Sequence, residues 1–186
     1  DGIRFIDVLK KGNGTITDSA GSLNCIYIGN STTFALADIR NVYAYEIHNI
    51  DVSEAIIYED TAVIYAITSS GDQRNVINIE NVMGYNFGKR LIKSHASNVC
   101  VRNVIGNSPE GDSLGLVTFI NAQTLGEKYG CIAENCHATG KMEAAFSADT
   151  PEITYRNISA TVTPGTKTGM SSAGVGLMVL NSNCLV

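Results

Sequence analysis

The sequence predicts an all-β solenoid, a chain of short strands and bends wound into coils that stack on one another. Three observations point there. A short apolar motif ending in Asn recurs, with Asn49, Asn81, Asn103, Asn135 and Asn157 in equivalent slots spaced 32, 22, 32 and 22 residues apart. Periods of this size mark stacked structural units. Within each copy apolar and polar residues alternate, the period of a strand with one buried face. No copy repeats apolar residues at spacings of three and four over ten or more positions, so helices are not expected.

The columns of the repeat say what each slot needs. Four residues before the Asn stand Tyr45, Ile77, Val99, Cys131 and Ile153, and two before it Ile47, Ile79, Val101, Ala133 and Tyr155. Immediately after it come Ile50, Val82, Val104, Cys136 and Ile158. These apolar slots face a core. The slot just before the Asn holds His48, Glu80, Arg102, Glu134 and Arg156. Coils stacked about 4.8 Å apart bring these charges side by side. Each exposed pair contributes only about 0–1 kcal/mol, but a slip of one coil would set like charges together, so the column guards register. Asn tolerates the backbone of a bend, and its amide can bond to the Asn of the neighbouring coil. The columns therefore predict an asparagine ladder.

Stretches 55–58, 90–93, 116–120, 143–147 and 175–180 read as the second strand of each coil, and 62–68 and 124–129 as insertions in the longer intervals. Such insertions collect on one face of a solenoid. Ile39-Arg40-Asn41-Val42 repeats the motif only eight residues before Asn49 and reads as a neighbouring strand of the same coil. Residues 1–186 are expected to form a single domain, with an irregular β lead-in over 1–38, regular coils over 39–160, and a loop and terminal strand over 161–186.

The bulk properties narrow the function. A chain of 186 residues with 44% hydrophobic and 17% charged residues suits a packed domain. A formal charge of −5 with no Lys/Arg cluster leaves no electrostatic footprint for nucleic acid or an anionic membrane. The longest apolar run, 175–180, falls far short of the roughly 20 residues that span a bilayer, so no membrane insertion is expected. The start at Asp1, without Met or a signal pattern, predicts a piece of a longer chain. Of five cysteines, Cys131 and Cys136 fall in inward slots, which predicts buried thiols rather than a disulfide framework or a metal site. No cofactor is expected.

Coils of 22 residues, β-branched strands, Asn at a recurring bend and no helical period resemble the right-handed parallel β-helix of the pectate-lyase-like superfamily. Residues 39–160 carry the resemblance. Irregular long coils, few charges and the abrupt start are most similar to bacteriophage tailspike proteins. The resemblance implies a homotrimer on the virion that binds and cleaves bacterial surface polysaccharide, capsule or O-antigen, as a glycoside hydrolase or polysaccharide lyase. Two alternatives stay open: a non-catalytic stem or carbohydrate-binding module of a trimeric fibre, and a secreted bacterial pectin-lyase-like enzyme. No catalytic motif of the family appears, so candidate residues come from the sequence itself.

The ends of the second strands form a polar column, Glu59 and Asp60, His95, Asn121, Asp149, then Asn181 and Asn183, which would line a groove along the helix axis. Such residues also close turns. Glu59 and Asp60 would lie one coil from Lys93 and His95. Hydrolysis needs two carboxyls about 5 Å or about 6.5–9.5 Å apart, and lyase chemistry needs a base for the C5 proton of a uronic acid. Adjacent residues on a regular strand point to opposite faces, so Glu59 and Asp60 need a bend to cooperate. Glu110 and Asp112, two apart in the loop-like 108–113, can share a side. These four are the catalytic candidates. Lys93, His95, Asn121, Asp149 and Tyr58 are the substrate-binding candidates, and Tyr43, Tyr65, Tyr85 and Tyr129 offer further rings for stacking on sugars.

Overall fold

Every strand pair among the described residues runs parallel, and none of those residues is helical. The chain is a parallel β-helix, seen in a computed structural model that describes residues 3–6, 9–10, 24–29, 34–49, 62–68, 74–120, 129–149, 152–165, 174–179 and 184–186. Its strands are β1 (Ile3–Ile6), β2 (Leu9–Lys10), β3 (Asn24–Gly29), β4 (Leu36–Asn49), β5 (Ala62–Ile67), β6 (Val76–Phe87) and β7 (Lys89–His95). They continue as β8 (Val99–Ile120), β9 (Cys131–Met142), β10 (Ala144–Asp149), β11 (Ile153–Thr163), β12 (Val175–Val179) and β13 (Cys184–Leu185).

Two stacks of strands enclose the core. The first runs β4, β6, β8, β9, β11, and the second β3, β5, β7, β8, β10, β12. The 22-residue β8 belongs to both: its first half lies between β6 and β9 and its second between β7 and β10, so it forms a whole coil.

Each strand of the first stack turns a corner at an Asn. Asn41, Asn81, Asn103, Asn135 and Asn157 have φ of 57°, 55°, 54°, 54° and 46°, the left-handed region that Asn tolerates best after Gly. Their amides form the expected ladder. Asn81 Nδ2 donates to Asn41 Oδ1 at 3.1 Å, Asn103 to Asn81 at 3.2 Å, Asn135 to Asn103 at 3.2 Å and Asn157 to Asn135 at 2.8 Å.

The first rung differs from the sequence expectation. Arg40 lies against Glu80 and Val42 against Val82, which makes Asn41 the partner of Asn81. Asn49 instead lies beside Lys10. Both stretches carry the apolar alternation, and pairing with β6 selects the earlier one. The second stack is corrected in the same coil. Its strand beside β7 is β5, built from residues expected to be an insertion, whereas 55–58 lie outside the described residues.

The charged column is therefore Arg40, Glu80, Arg102, Glu134, Arg156. Ion pairs close at Arg40–Glu80 (3.8 Å) and Arg102–Glu134 (3.1 Å). Arg40 also grips Asp38 of its own strand at 2.8 and 2.9 Å, and Glu80 turns an oxygen to Asn103 Nδ2 at 3.4 Å. Among the described residues the contacts within 4 Å join the column in two pairs, Arg40 with Glu80 and Arg102 with Glu134.

Inside, Ile77, Ile79, Val99, Val101, Cys131, Ala133, Ile153 and Tyr155 line the wall before the Asn corner, and Val42, Val82, Val104 and Cys136 the wall after it. Ile64, Ile92, Val117 and Phe146 close the core from the second stack. Each such aliphatic or aromatic side chain contributes about 1.5–3 kcal/mol by leaving water. Small residues keep one inner column open: Ala44, Gly84, Gly106, Ala138 and Ala160 share a register line. A Cβ on Gly106 would stand 2.2 Å from Leu116 Cδ1, and one on Gly84 2.6 Å from Leu91 Cδ1. The leucines of the second stack fill the space those glycines vacate.

Candidate functional site

Alternation on the second stack sends Ile64, Ile92, Val117 and Phe146 inward and sets Tyr27, Tyr65, Lys93, Thr118, Ser147 and Met178 in one outer line. The Tyr65 ring organises this line. It meets Tyr27 edge-on at 5.4 Å and His95 edge-on at 5.7 Å, and Lys93 Nζ sits 5.3 Å from its centroid, within cation–π range. Further along, Ser147 Oγ donates to Thr118 Oγ1 at 3.0 Å.

Lys93 and His95 thus meet on the Tyr65 ring, and Asp149 ends β10 on the same outer side. The positions one coil before Lys93 and His95, however, belong to Tyr65 and Ile67 rather than to Glu59 and Asp60. Glu59, Asp60, Tyr58 and Asn121 lie outside the described residues. Nor is the middle of the line open: Tyr65, Lys93 and His95 are 6%, 2% and 5% exposed, whereas Tyr27 at its edge is 55% exposed. A buried ammonium is tolerated only in a compensated setting, so this is a closed polar layer.

The face after the Asn corner is open. Its outer positions form two lines, Tyr43–Met83–Ile105–His137–Ser159 and Tyr45–Tyr85–Asn107–Thr139–Thr161. Met83, Tyr85 and Ile105 are 48%, 36% and 50% exposed. The rings of Tyr45 and Tyr85 stack at 5.3 Å with 9° between their planes. In later coils the lines turn polar, with His137 Nδ1 hydrogen-bonded to Ser159 Oγ at 2.7 Å and Thr139 Oγ1 donating to the Gly106 carbonyl at 3.5 Å. The result is a straight strip, aromatic and apolar in the earlier coils, hydroxyl and imidazole in the later ones. Sequence reasoning singled out Tyr43 and Tyr85 but not Met83, Ile105, Asn107 or His137. The signal was there: Met83 and Ile105 are apolar residues at outward slots, where the alternation calls for polar ones.

At the end of this strip β8 leaves the ladder. Ser108 lies against Gly140 and Ser113 against Met142, so a single residue of β9, Lys141, faces four of β8, residues 109–112. The bulge carries Glu110, exposed and three residues past Asn107. The backbone of Asp112 belongs to it also. Gly140 permits the geometry: at φ 100° its Cβ would stand 2.6 Å from the Ser108 carbonyl oxygen. Bulges re-aim side chains and are frequent beside active sites.

Comparison of the chain with family models, curated proteins and solved structures finds no match. The chemistry of the strip therefore rests on its own geometry. Among the described residues no group of three or more His, Cys, Asp or Glu side chains is placed to hold a metal ion.

Proposed function

We propose that this β-helix binds a linear bacterial surface polysaccharide along the face after the Asn corner and cleaves it at the adjoining bulge, as a trimeric phage tailspike does. The observation that carries the reading is the open strip formed by Tyr43, Met83, Tyr85 and Ile105 and continued by Asn107, Thr139, His137 and Ser159. A sugar ring has an apolar face and a hydroxyl edge, and the strip offers partners for both in a straight line. Contiguous exposed apolar surface of this kind marks a binding site more often than a bare wall. The chain's 13 Lys and Arg against 18 Asp and Glu favour a ligand of low negative charge.

Glu110 at the edge of the strip supplies an exposed carboxylate, and Asp112 is the candidate for the second carboxyl that hydrolysis requires. The test is incubation with capsular and O-antigen polysaccharides, followed by sizing of the products and measurement of binding. Retention and shortening of one polymer are expected. Binding without shortening identifies a non-catalytic fibre module, and absence of binding to any polymer overturns the reading. A trimer is expected in light scattering; a stable monomer counts against the tailspike comparison.

A further inference from the structure

Two inward slots of the strip's coils carry polar residues where their neighbours are apolar or glycine. Along β6, Val82, Gly84 and Asn86 are buried while Met83 and Tyr85 are exposed, and along β8 Val104, Gly106 and Ser108 are buried while Ile105 is exposed. Asn86 and Ser108 are both 0% exposed. Tyr85 pairs with Asn107, and one step further puts Asn86 and Ser108 on successive coils, about 4.8 Å apart.

Asn86 stands at a second left-handed corner with Glu46, at φ 49° and 52°. Its Nδ2 donates to Glu46 Oε2 at 2.7 Å in the preceding coil. That bond leaves Oδ1 on the side of the following coil, where Ser108 lies. Neither Asn86 Oδ1 nor Ser108 Oγ has a hydrogen-bond partner among the described residues. Buried polar atoms of folded proteins are nearly always paired, with ordered water filling the exceptions. At the first corner Asn bonds Asn, because that side chain spans one coil. Serine is shorter and stops short of its neighbour.

We infer that one ordered water bridges Asn86 Oδ1 and Ser108 Oγ inside the second corner and fixes one foot of the bulge that carries Glu110. A water suits both atoms, since it donates to the amide oxygen and accepts from the hydroxyl. A cation is poorly served by the site: Asn86 Oδ1 and Ser108 Oγ offer two neutral oxygens, where Ca2+ takes about six to eight oxygen ligands. The bulge then has two serine feet. Ser113 Oγ donates directly to the Lys89 carbonyl of the previous coil at 3.0 Å, and Ser108 reaches that coil through the water. The water itself stands apart from the proposed function; only its role in holding Glu110 rests on that reading.

The experiment is a high-resolution crystal structure of the parent chain, with Ser108→Ala and Ser108→Asn prepared alongside. The parent is expected to show a solvent peak within hydrogen-bond distance of both atoms, read with no sugar present. Ser108→Ala should lower the midpoint of thermal unfolding. Ser108→Asn, long enough to meet Asn86 directly, should displace the water and restore the midpoint. Ser108 is a positioning residue: if Glu110 acts on polysaccharide, Ser108→Ala should lower kcat with KM unchanged, and Ser108→Asn should recover it. An empty density between the two atoms, an anomalous metal peak there, or Ser108→Ala at least as stable as the parent overturns the inference. Loss of the Glu110 role alone, with the water present, overturns the proposed function and leaves the water standing.

Discussion

Asn81 donates through Nδ2 to Oδ1 of Asn41 at 3.1 Å, across 40 residues of chain. The later rungs span 22, 32 and 22 residues. The corner is thus held in place while the length of each coil varies, and closing a longer connection costs little, about 0.6 kcal/mol for each doubling.

Asn103 makes two rungs, one to Asn81 and one from Asn135. Asn103→Ala removes both, each worth roughly 0.5–1.5 kcal/mol, and places a Cβ-bearing residue without local hydrogen bonding in the left-handed region, at roughly 1–2 kcal/mol. Because the position is exposed, a loss of about 2–3 kcal/mol in urea unfolding is expected. Asn103→Gly should recover the backbone share, and Asn157→Ala, with one rung, should cost less. Equal losses for Ala and Gly at position 103 would remove the backbone argument.

Gly115 and Gly176 both lie on the second stack, and only the first should resist a methyl group. A Cβ on Gly115 would stand 2.3 Å from the backbone oxygen of Ala144, whereas on Gly176 it would meet Ala160 Cβ at an ordinary 3.5 Å. Gly115→Ala forces two coils apart, an overpacking cost of about 1–3 kcal/mol. Gly176→Ala should stay within about 0.5 kcal/mol of the parent. Thermal unfolding of the two variants decides.

Arg102 sits between Glu80 and Glu134 in the charged column, and its guanidinium is held above its ordinary pKa by the bond to Glu134. Arg102→Glu sets three carboxylates in succession. A loss of about 1 kcal/mol is expected at low ionic strength, shrinking in 1 M salt where the screening length falls to about 3 Å. A loss indifferent to salt would point to packing by the arginine stem instead.

The Cys136 thiol, in the core and donating to the Glu134 carbonyl at 3.3 Å, is pushed by burial from 9.0 up to about 12. Below pH 9 the thiol is protonated whether the chain is folded or not, and its contribution to stability is complete. Between about 9 and 12 the unfolded chain loses the proton and the folded one keeps it, so stability falls as pH rises, by at most about 1.4 kcal/mol per unit for this thiol. Cys136→Ala should flatten that part of the stability profile. The native thiol should also resist alkylation at pH 8 until denaturant is added.

Tyr85→Ala removes the exposed half of the Tyr45–Tyr85 stack. Loss of a ring contact worth about 1.4 kcal/mol to a sugar weakens binding about tenfold. Glu110→Gln should leave binding intact and lower the cleavage rate about 100-fold or more, the usual share of a positioned proton donor or acceptor. Isothermal titration and product sizing separate the two effects.

The later rungs were legible because Asn81, Asn103, Asn135 and Asn157 each follow a local alternation. The first rung was not, since Ala37-x-Ile39-Arg40-Asn41 and Tyr45-x-Ile47-His48-Asn49 both satisfy it. One local clue favoured the former: Arg40 continues the alternating charge column and His48 breaks it. Lys93 and His95 were legible as outward residues, but their closure from water was not, because burial on an outer face depends on what packs there. Glu110 falls in a stretch, 108–113, whose Ser, Pro and Gly predict a loop. It stays within β8 because Ser108 and Ser113 re-enter register on either side, a pairing with the next coil that no local pattern reveals.

All four rungs of the first ladder point the same way, each N–H directed to the earlier coil. Amides aligned head to tail add their bond dipoles and polarise one another. The column therefore has an electrical sense, with its N–H pole toward Asn41 and its oxygen pole toward Asn157. An amide flipped at one rung would set oxygen against oxygen on one side and N–H against N–H on the other, so the ladder holds every one of these side chains in a single orientation.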